Sequence, residues 1–278
     1  MMRNILNKII VNILTLSLIL ARKQQKLTSI FFRLRKIIPS LDDQYSSFKI
    51  EGAYLTNKVY NLHSFQINLA LEVLSSLEQT KERILVDIGD SSGTHITYLE
   101  NILNNIKAFS VNMDSEAVTR IRTKGLKAIH SSAEQVHKHP EINRNVDTFL
   151  CFETLEHLED PINFLRNLYE KSECKQLVIT VPYLLKSRVG LHQIRNWGKG
   201  MPFNPETTHI FELSPDDWKL IFKFSGWKVK KEKVYLQYPN WPLISFLKYL
   251  WRYKDFEGFY GVVLEKNPKY IKEYDRFN

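Results

Sequence analysis

Between residues 84 and 181, five short apolar runs alternate with segments of helical pattern. The runs are 84–88, 108–113, 128–130, 146–152 and 176–181, and helices are predicted to begin near Gly93, Ser115, Ala133 and Pro161. A strand that is apolar at nearly every position must be covered on both faces, as in a parallel sheet buried between helices. Pro161 suits the first turn of a helix, where no backbone N–H is needed. A helix over 61–80, with Phe65, Leu69, Val73 and Leu77 on one face, precedes the first strand. The alternation stops at Pro182. Residues 183–212, with Gly190, Gly198, Gly200, Pro202 and Pro205, read as a lid insert, and a connection of that length is often functional. Ser214 and Pro215 then open a helix that Gly226 stops. WKVKKEKVYLQY and the final FYGVVLEK read as two strands on either side of an aromatic insert at 237–258. The expected architecture is α/β: a mainly parallel seven-stranded sheet with helices on both faces and an antiparallel edge strand.

Charge is concentrated at one end. Residues 1–40 hold eight Lys or Arg and no Asp or Glu, so of a formal net charge of +9 only +1 belongs to the rest of the chain. A nearly neutral body lacks the basic stripe of a nucleic-acid groove, and no nucleic-acid partner is expected. The leader is apolar as well as basic. Its run Ile9–Ala21 has 13 residues, fewer than the ~20 of a membrane-spanning helix. Asn4, Lys8, Asn12 and Thr15 recur at helical spacing as a polar stripe, with Ile5, Leu6, Ile9, Ile13, Leu16 and Leu20 mostly away from it. Residues 1–45 are therefore expected to form a basic apolar arm ahead of a domain at 46–278. The arm suits an anionic membrane surface. The alternatives are packing on the core or another subunit, and a signal peptide or anchor, for which LILARK is a poor cleavage site. Cys151 and Cys174 form neither a disulfide framework nor a metal set, which fits a reducing, cytoplasmic setting, and the arm adds an expected peripheral membrane association.

The chemistry is expected beyond the carboxyl ends of the strands, where open parallel sheets bind ligands. The first strand runs into ILVDIGDSSGTHITYLE, residues 84–100. Gly89 lets the backbone turn, and Gly93 allows close approach of a ligand or a helix. The second strand ends with Asn112 at its tip and Asp114 two residues on, where a polar group can hold the two hydroxyls of a ribose. Ser132, Ala133 and Glu134 follow the third strand, at the place of an adenine edge. The fourth ends in FLCFETLEHLEDP, with more acids than routine surface requires.

In order and spacing these segments resemble the class I S-adenosylmethionine-dependent methyltransferases, in the group acting on small molecules, lipids and sugars. The family's first strand and loop read acid-x-Gly-x-Gly-x-Gly. Here they read Asp87, Ile88, Gly89, Asp90, Ser91, Ser92, Gly93, with Ser91 at the central glycine. Asn112, with Asp114 nearby, takes the place of the ribose-gripping acid, and Ser132, Ala133 and Glu134 that of Asp-Ala-Glu. Glu153, Glu156, His157, Asp160 and Pro161 match the fourth-strand signature, LVITVPY resembles the fifth strand, and HIFELSPDDWKLIFKFSGWKV leads through a helix to the sixth. The likeness covers roughly residues 60–236 and continues to the last strand near 265. It implies a Rossmann-like fold and S-adenosyl-L-methionine as cofactor. It also implies a cofactor site made of Asp87, Gly89, Ser91, Gly93, Asn112, Asp114, Ala133, Glu134 and Glu153.

Methyl transfer to an oxygen needs a base for the departing proton, and the histidine pKa suits that task. The candidates are His157, His192 and His209. Tyr183, Arg188 and Arg195 are candidate substrate contacts, the two arginines for a phosphate or carboxylate. With the basic arm they suit a glycan or lipid-linked intermediate among small-molecule acceptors. His95 reads as a local cap or surface residue, and His137 and His139 as solvated. Ser91 and Asn112 leave open a catalytically inactive, methyltransferase-like binding or scaffold protein. A nicotinamide-dependent oxidoreductase shares the loop but is not favoured by the EH segment or the late lid. No metal-ligand spacing and no Gly-Lys-Ser or Gly-Lys-Thr phosphate loop is present in the sequence.

Overall fold

The computed structural model describes residues 2–75, 81–142, 146–190, 206, 208–254 and 256–274. Helices α1 (Met2–Gln24), α2 (Thr28–Ile37) and α3 (Gly52–Leu74) precede an alternation of β1 (Arg83–Ile88), α4 (Thr94–Glu100), β2 (Ile106–Asn112), α5 (Ser115–Thr123), β3 (Ala128–His130), β4 (Thr148–Phe152), α6 (Pro161–Lys171) and β5 (Gln176–Tyr183). A two-stranded ribbon, β6 (Arg188–Val189) with β7 (Phe211–Glu212), follows. The chain then forms α7 (Pro215–Phe224), β8 (Trp227–Leu236), α8 (Leu247–Lys254), β9 (Gly258–Lys266) and α9 (Lys269–Tyr274).

The seven strands order as β3-β2-β1-β4-β5-β9-β8. The first five are parallel, and β9 runs antiparallel to both β5 and β8. Strand order reverses between β1 and β4, so the carboxyl ends of β1, β2 and β4 meet at the switch point where such sheets bind ligands. Strand alternation divides the core. In β1, Leu85 joins Phe65, Leu69 and Val73 of α3 on one face. Val86 and Ile88 join Phe164 and Leu168 of α6, and Trp218 and Phe222 of α7, on the other. Each such side chain, fully buried, contributes about 1.5–3 kcal/mol.

Two boundaries differ from the sequence pattern. Helix α3 starts at Gly52 rather than at residue 61, because α2 supplies Phe31 and Leu34 as packing partners for Val59 and Tyr60. The leader is also seated on the body. Leu14 and Leu18 of α1 pack against Tyr238, Leu247 and Trp251 of the aromatic insert. The Trp251 indole donates to Ser17 Oγ at 3.1 Å, and that hydroxyl donates to the Gln237 carbonyl at 2.8 Å. Ile5, Leu6, Ile9, Ile13 and Leu16 stay exposed. By length and composition alone, Ile5–Gln24 is long enough to cross a membrane, longer than the uninterrupted run in the sequence suggests.

Candidate active site

The loop after β1 is organised by a residue that pattern reading passed over. Asp90, buried, accepts the Gly93 N–H at 2.8 Å and the Ser92 N–H at 3.2 Å on Oδ1, and the Ser110 hydroxyl on Oδ2. Gly89 and Gly93 both have positive φ, +87° and +77°. A Cβ on Gly89 would lie 2.0 Å from Thr154 Oγ1, and one on Gly93 2.4 Å from Leu126 Cδ1. The close approach these glycines permit is therefore between segments of the chain itself. Ser91 is left half-buried in the turn.

At the tip of β2, Asn112 is tied to this loop. Its Nδ2 donates to the Asp90 carbonyl at 2.9 Å, and its Oδ1 accepts the Asp114 N–H at 2.8 Å. Asp114 caps α5 through the Glu116 N–H and accepts the Ser46 hydroxyl at 2.8 Å. Burial pushes its carboxyl up, but the Ser46 and backbone donors outweigh that, and its pKa lies below the ordinary value.

Residues 41–48 form a strap across the loop. Gln44 Nε2 donates to Ser91 Oγ at 3.2 Å, and Gln44 Oε1 accepts the Ser92 and Thr94 hydroxyls at 2.9 and 2.8 Å. Arg120 reaches both the Ser46 hydroxyl and the Ser91 carbonyl. Tyr45 stacks on Phe48 at 4.5 Å; burial and then Glu153 raise the pKa of its hydroxyl. Polar residues outside any periodic element carry no pattern, so Gln44 left no trace in the sequence reading.

Beneath the loop lies a buried relay. Asp87, 1% exposed, holds His95 Nδ1 at 2.8 Å. His95 Nε2 stands 2.9 Å from Gln66 Oε1 and 2.8 Å from His63 Nδ1, and Gln66 Nε2 donates to Thr180 Oγ1. His95 is thus a buried partner of Asp87, contrary to the cap or surface role expected, because α4 turns its first residues back over β1. Burial pushes Asp87 up to about 6, against the pull of His95. Burial lowers His95, but Asp87 more than reverses it and leaves the imidazole raised. Burial, reinforced by His95, holds His63 well below the usual histidine range. The consistent state is an Asp87 carboxylate, a His95 imidazolium donating on both sides, and a neutral His63 accepting on Nδ1.

A second cluster follows β4. Glu153 has a left-handed φ of +47° and donates its N–H to the Thr180 carbonyl. That turn delivers Glu156, fully buried, and His157 in a short 3-10 helix, Leu155–His157. His157 Nδ1 lies 3.0 Å from the Thr208 carbonyl, and its Nε2 lies 3.9 Å from Glu156 Oε1. The Ile210 N–H donates to the Glu156 carbonyl at 2.8 Å, which brings His209 alongside, its ring 4.6 Å from that of His157. His209 Nδ1 stands 3.2 Å from Glu212 Oε1, and Arg188 pairs with the other oxygen of Glu212. Burial, Glu153 and Glu212 push the Glu156 carboxyl well above its ordinary range.

The fold thus gathers Asp87, Gly89, Ser91, Gly93, Asn112 and Asp114 around one loop, and Glu153, His157 and His209 beyond β4. Arg188 meets Glu212, so its guanidinium serves His209 indirectly. Tyr183 ends β5 opposite Gly258, beside Glu257 and Arg252. Ala133 and Glu134 open a 3-10 helix, Ala133–Lys138, after β3, and Ala133 packs on the main core. The same turn buries His137, expected to be solvated, beside Lys171 of α6. His192 and Arg195 lie outside the described residues.

A family model described as a methyltransferase domain matches residues 64–232. Among solved structures, 1,6-didemethyltoxoflavin-N1-methyltransferase of Burkholderia thailandensis, bound to 1,6-didemethyltoxoflavin and S-adenosylhomocysteine, is similar at a TM-score of 0.52 and 10% identity, over 74% of this chain and 78% of that one. The O-methyltransferase of a trans-AT PKS multienzyme of Brevibacillus brevis, in complex with S-adenosyl-L-homocysteine, reaches 0.53 at 11% identity, over 79% and 77%. No curated protein matches the chain in sequence. Identities this low speak to the fold alone. The matched span, by contrast, is most of the chain and contains the loop, the tip of β2 and the turn after β4, and on that ground the chain belongs to the methyltransferase-domain family.

Proposed function

We propose that this protein transfers a methyl group from S-adenosylmethionine to a small-molecule acceptor, a glycan or lipid-linked intermediate met at an anionic membrane surface. The convergence of Ser91, Asn112 and Asp114 at the switch point carries the first part. The donor set fits an adenosyl group: an ionised carboxylate at the tip of β2 offers acceptor oxygens to a diol, next to a loop hydroxyl. When bound, S-adenosylmethionine supplies a methyl carbon made electrophilic by its sulfonium. The protein's share is to orient and to exclude water, which can lower a barrier by about 7–11 kcal/mol. Asp114 and Ser91 hold, Gln44, Tyr45 and Ser46 cover, and His157 and His209 face the acceptor side. His157 donates Nδ1–H to the Thr208 carbonyl, which fixes its ring beside that of His209.

Two observations support the membrane part. The exposed Ile5, Leu6, Ile9, Ile13 and Leu16 lie on a helix packed against the insert, which itself exposes Leu243, Phe246, Tyr249 and Tyr253. The eight basic residues of the leader supply the charge complement to anionic headgroups.

Calorimetry with S-adenosylmethionine, S-adenosylhomocysteine and NAD tests the first part. Binding of the first two and not of NAD is expected; silence from both sulfur compounds overturns it. For the second part, the paired substitution Ile9→Glu and Leu16→Glu alters only exposed positions. It is expected to weaken partition onto anionic vesicles at least about tenfold while cofactor binding stays. Unchanged partition rules the membrane reading out.

A further inference from the structure

The elbow between α1 and α2 holds a positive charge that the fold does not answer. Arg22, near the end of α1, is 5% exposed. Its partners are two amide oxygens and two aromatic rings. Nη1 donates to Asn57 Oδ1 at 3.3 Å and to Asn61 Oδ1 at 3.4 Å, both long for such bonds. The guanidinium carbon stands 3.6 Å from the centre of the Phe31 ring and 5.7 Å from that of Phe32. Nε is buried with no hydrogen-bond partner among the described residues. No partner carries a full negative charge, and residues 1–40 contain no Asp or Glu. A buried charge of this kind is costly unless an opposite charge or a full set of hydrogen bonds meets it.

A second cation converges on the same ring. Arg35 of α2 is exposed, and its guanidinium carbon lies 5.8 Å from the centre of Phe31 and 5.6 Å from that of Tyr60. The arginine ion pairs among the described residues are those of Arg188 and Arg252; Arg22 and Arg35 have none. The local fold enforces the meeting. Lys26 takes a left-handed φ of +59° and turns the chain back, and Leu27, Phe31 and Leu34 of the returning segment are buried. Asn61 spends Nδ2 on the Leu18 carbonyl and Asn57 on the Ala53 carbonyl, so each amide turns its oxygen to Arg22. Burial lowers the pKa of the Arg22 guanidinium; Tyr235 pulls the other way, and Arg35 adds to the lowering. Two like charges gathered without an acid repel each other, and an anion shared between them reverses the sign.

We propose that Arg22 and Arg35 bind one phosphoryl oxyanion at the α1–α2 elbow. A carboxylate has two oxygens, which a single guanidinium fork fills. A phosphoryl group has more, and takes a fork from each of two arginines. The group comes from a lipid headgroup or from a soluble phosphate ester. The surroundings suit a headgroup: Phe32, beside Arg22, is 58% exposed, and Arg33 and Lys36 are exposed on the same helix. An apolar wedge among cations is the composition that enters a headgroup layer. A seated headgroup fixes how the protein lies on a membrane, which diffuse charge does not. The lipid source rests on the membrane reading above; the oxyanion site itself does not.

The test uses the full chain and variants that keep the charge but lose the fork, Arg22→Lys and Arg35→Lys. Each is expected to weaken partition onto phosphatidylcholine vesicles carrying phosphatidylglycerol at least about tenfold. That loss should exceed the effect of removing two exposed charges elsewhere on α1, Lys8→Gln with Lys23→Gln. Calorimetry with inorganic phosphate and with glycerophosphate separates the sources. Heat from these probes that Arg35→Lys abolishes assigns the site to a soluble ester; a vesicle loss without such heat assigns it to a headgroup. Silence from the soluble probes overturns the site if partition is unchanged in the arginine variants, or falls no further than in the lysine pair. Circular dichroism reports whether Arg22→Lys folds; if it does not, Arg35→Lys, at an exposed position, decides. Soluble phosphate binding without any vesicle partition defeats the membrane reading and leaves the site. Wild-type partition that both arginine variants retain, without phosphate heat, defeats the site alone.

Discussion

Two carboxylate–histidine clusters sit at the carboxyl edge of one sheet, and they are finished differently. Around Asp87 the protein supplies partners in a chain: His95 answers the carboxylate, and Gln66 and His63 answer His95, leaving the outer His63 Nε2 without a hydrogen-bond partner among the described residues. Around Glu156 it stops short, orienting two imidazoles from outside while the carboxyl beside them has no hydrogen-bond partner among the described residues. The residue types are the same. What separates the two clusters is whether the donors and acceptors of the fold close the set.

The contrast can be broken by substitution. The largest effect is expected at the closed cluster. Asp87→Ala strips the partner from a buried imidazolium and should cost about 3–5 kcal/mol in urea unfolding; a loss below 1 kcal/mol would place Asp87 among ordinary surface pairs. The strap comes next. Gln44→Ala removes the acceptor of the Ser92 and Thr94 hydroxyls and the donor to Ser91. It should cost about 1–3 kcal/mol and weaken S-adenosylmethionine binding in calorimetry.

A smaller effect lies in pH. The folded-state pKa of His95 is raised above the ordinary 6.5, so the folded chain keeps a proton that the unfolded chain has lost. That stabilisation is complete below about pH 6.5 and disappears as pH rises through the folded pKa. Asp87, raised to about 6, acts with the same sign at lower pH, and His63, lowered, acts against it there. Glu156, held well above its ordinary range, acts with the same sign as pH rises, so the His95 share above pH 6.5 is the part of the fall in Tm that His95→Gln removes. The smallest change is expected at the open cluster. Glu156→Gln should leave the protein within about 1 kcal/mol of wild type, since no hydrogen bond among the described residues is broken. A loss approaching that of Asp87→Ala would erase the distinction between the two clusters.

Much of the frame was legible because burial writes itself into local pattern. Continuous apolar runs marked β1, β2, β4 and β5, and Ser214 with Pro215 marked the start of α7, where Ser214 Oγ does accept the Asp217 N–H. Gly89 and Gly93 announced a turn with positive φ. The partners of those residues were not legible. Asp90 looked like one more turn residue, His95 like a cap, and Gln44 like the end of the leader arm, because each is defined by a contact far along the chain. His209 was a candidate by position, but nothing in its spacing from His157 revealed that the two rings lie edge to face.

The amino-acid order alone determined the strand and helix periods, the charge of the leader and the loop that places this chain among methyltransferase domains, since these follow from short-range sterics and the burial of apolar faces. Tertiary structure decided which polar groups are answered. Asp87 within β1 and Glu156 just after β4 both lie beside apolar runs, yet only the packing of α4 and the return of the chain through residues 208–212 settle which carboxylate meets a donor. Hydrogen bonds and charge pairs depend on distances of a few tenths of an ångström between segments far apart in sequence, and no local periodicity encodes those distances.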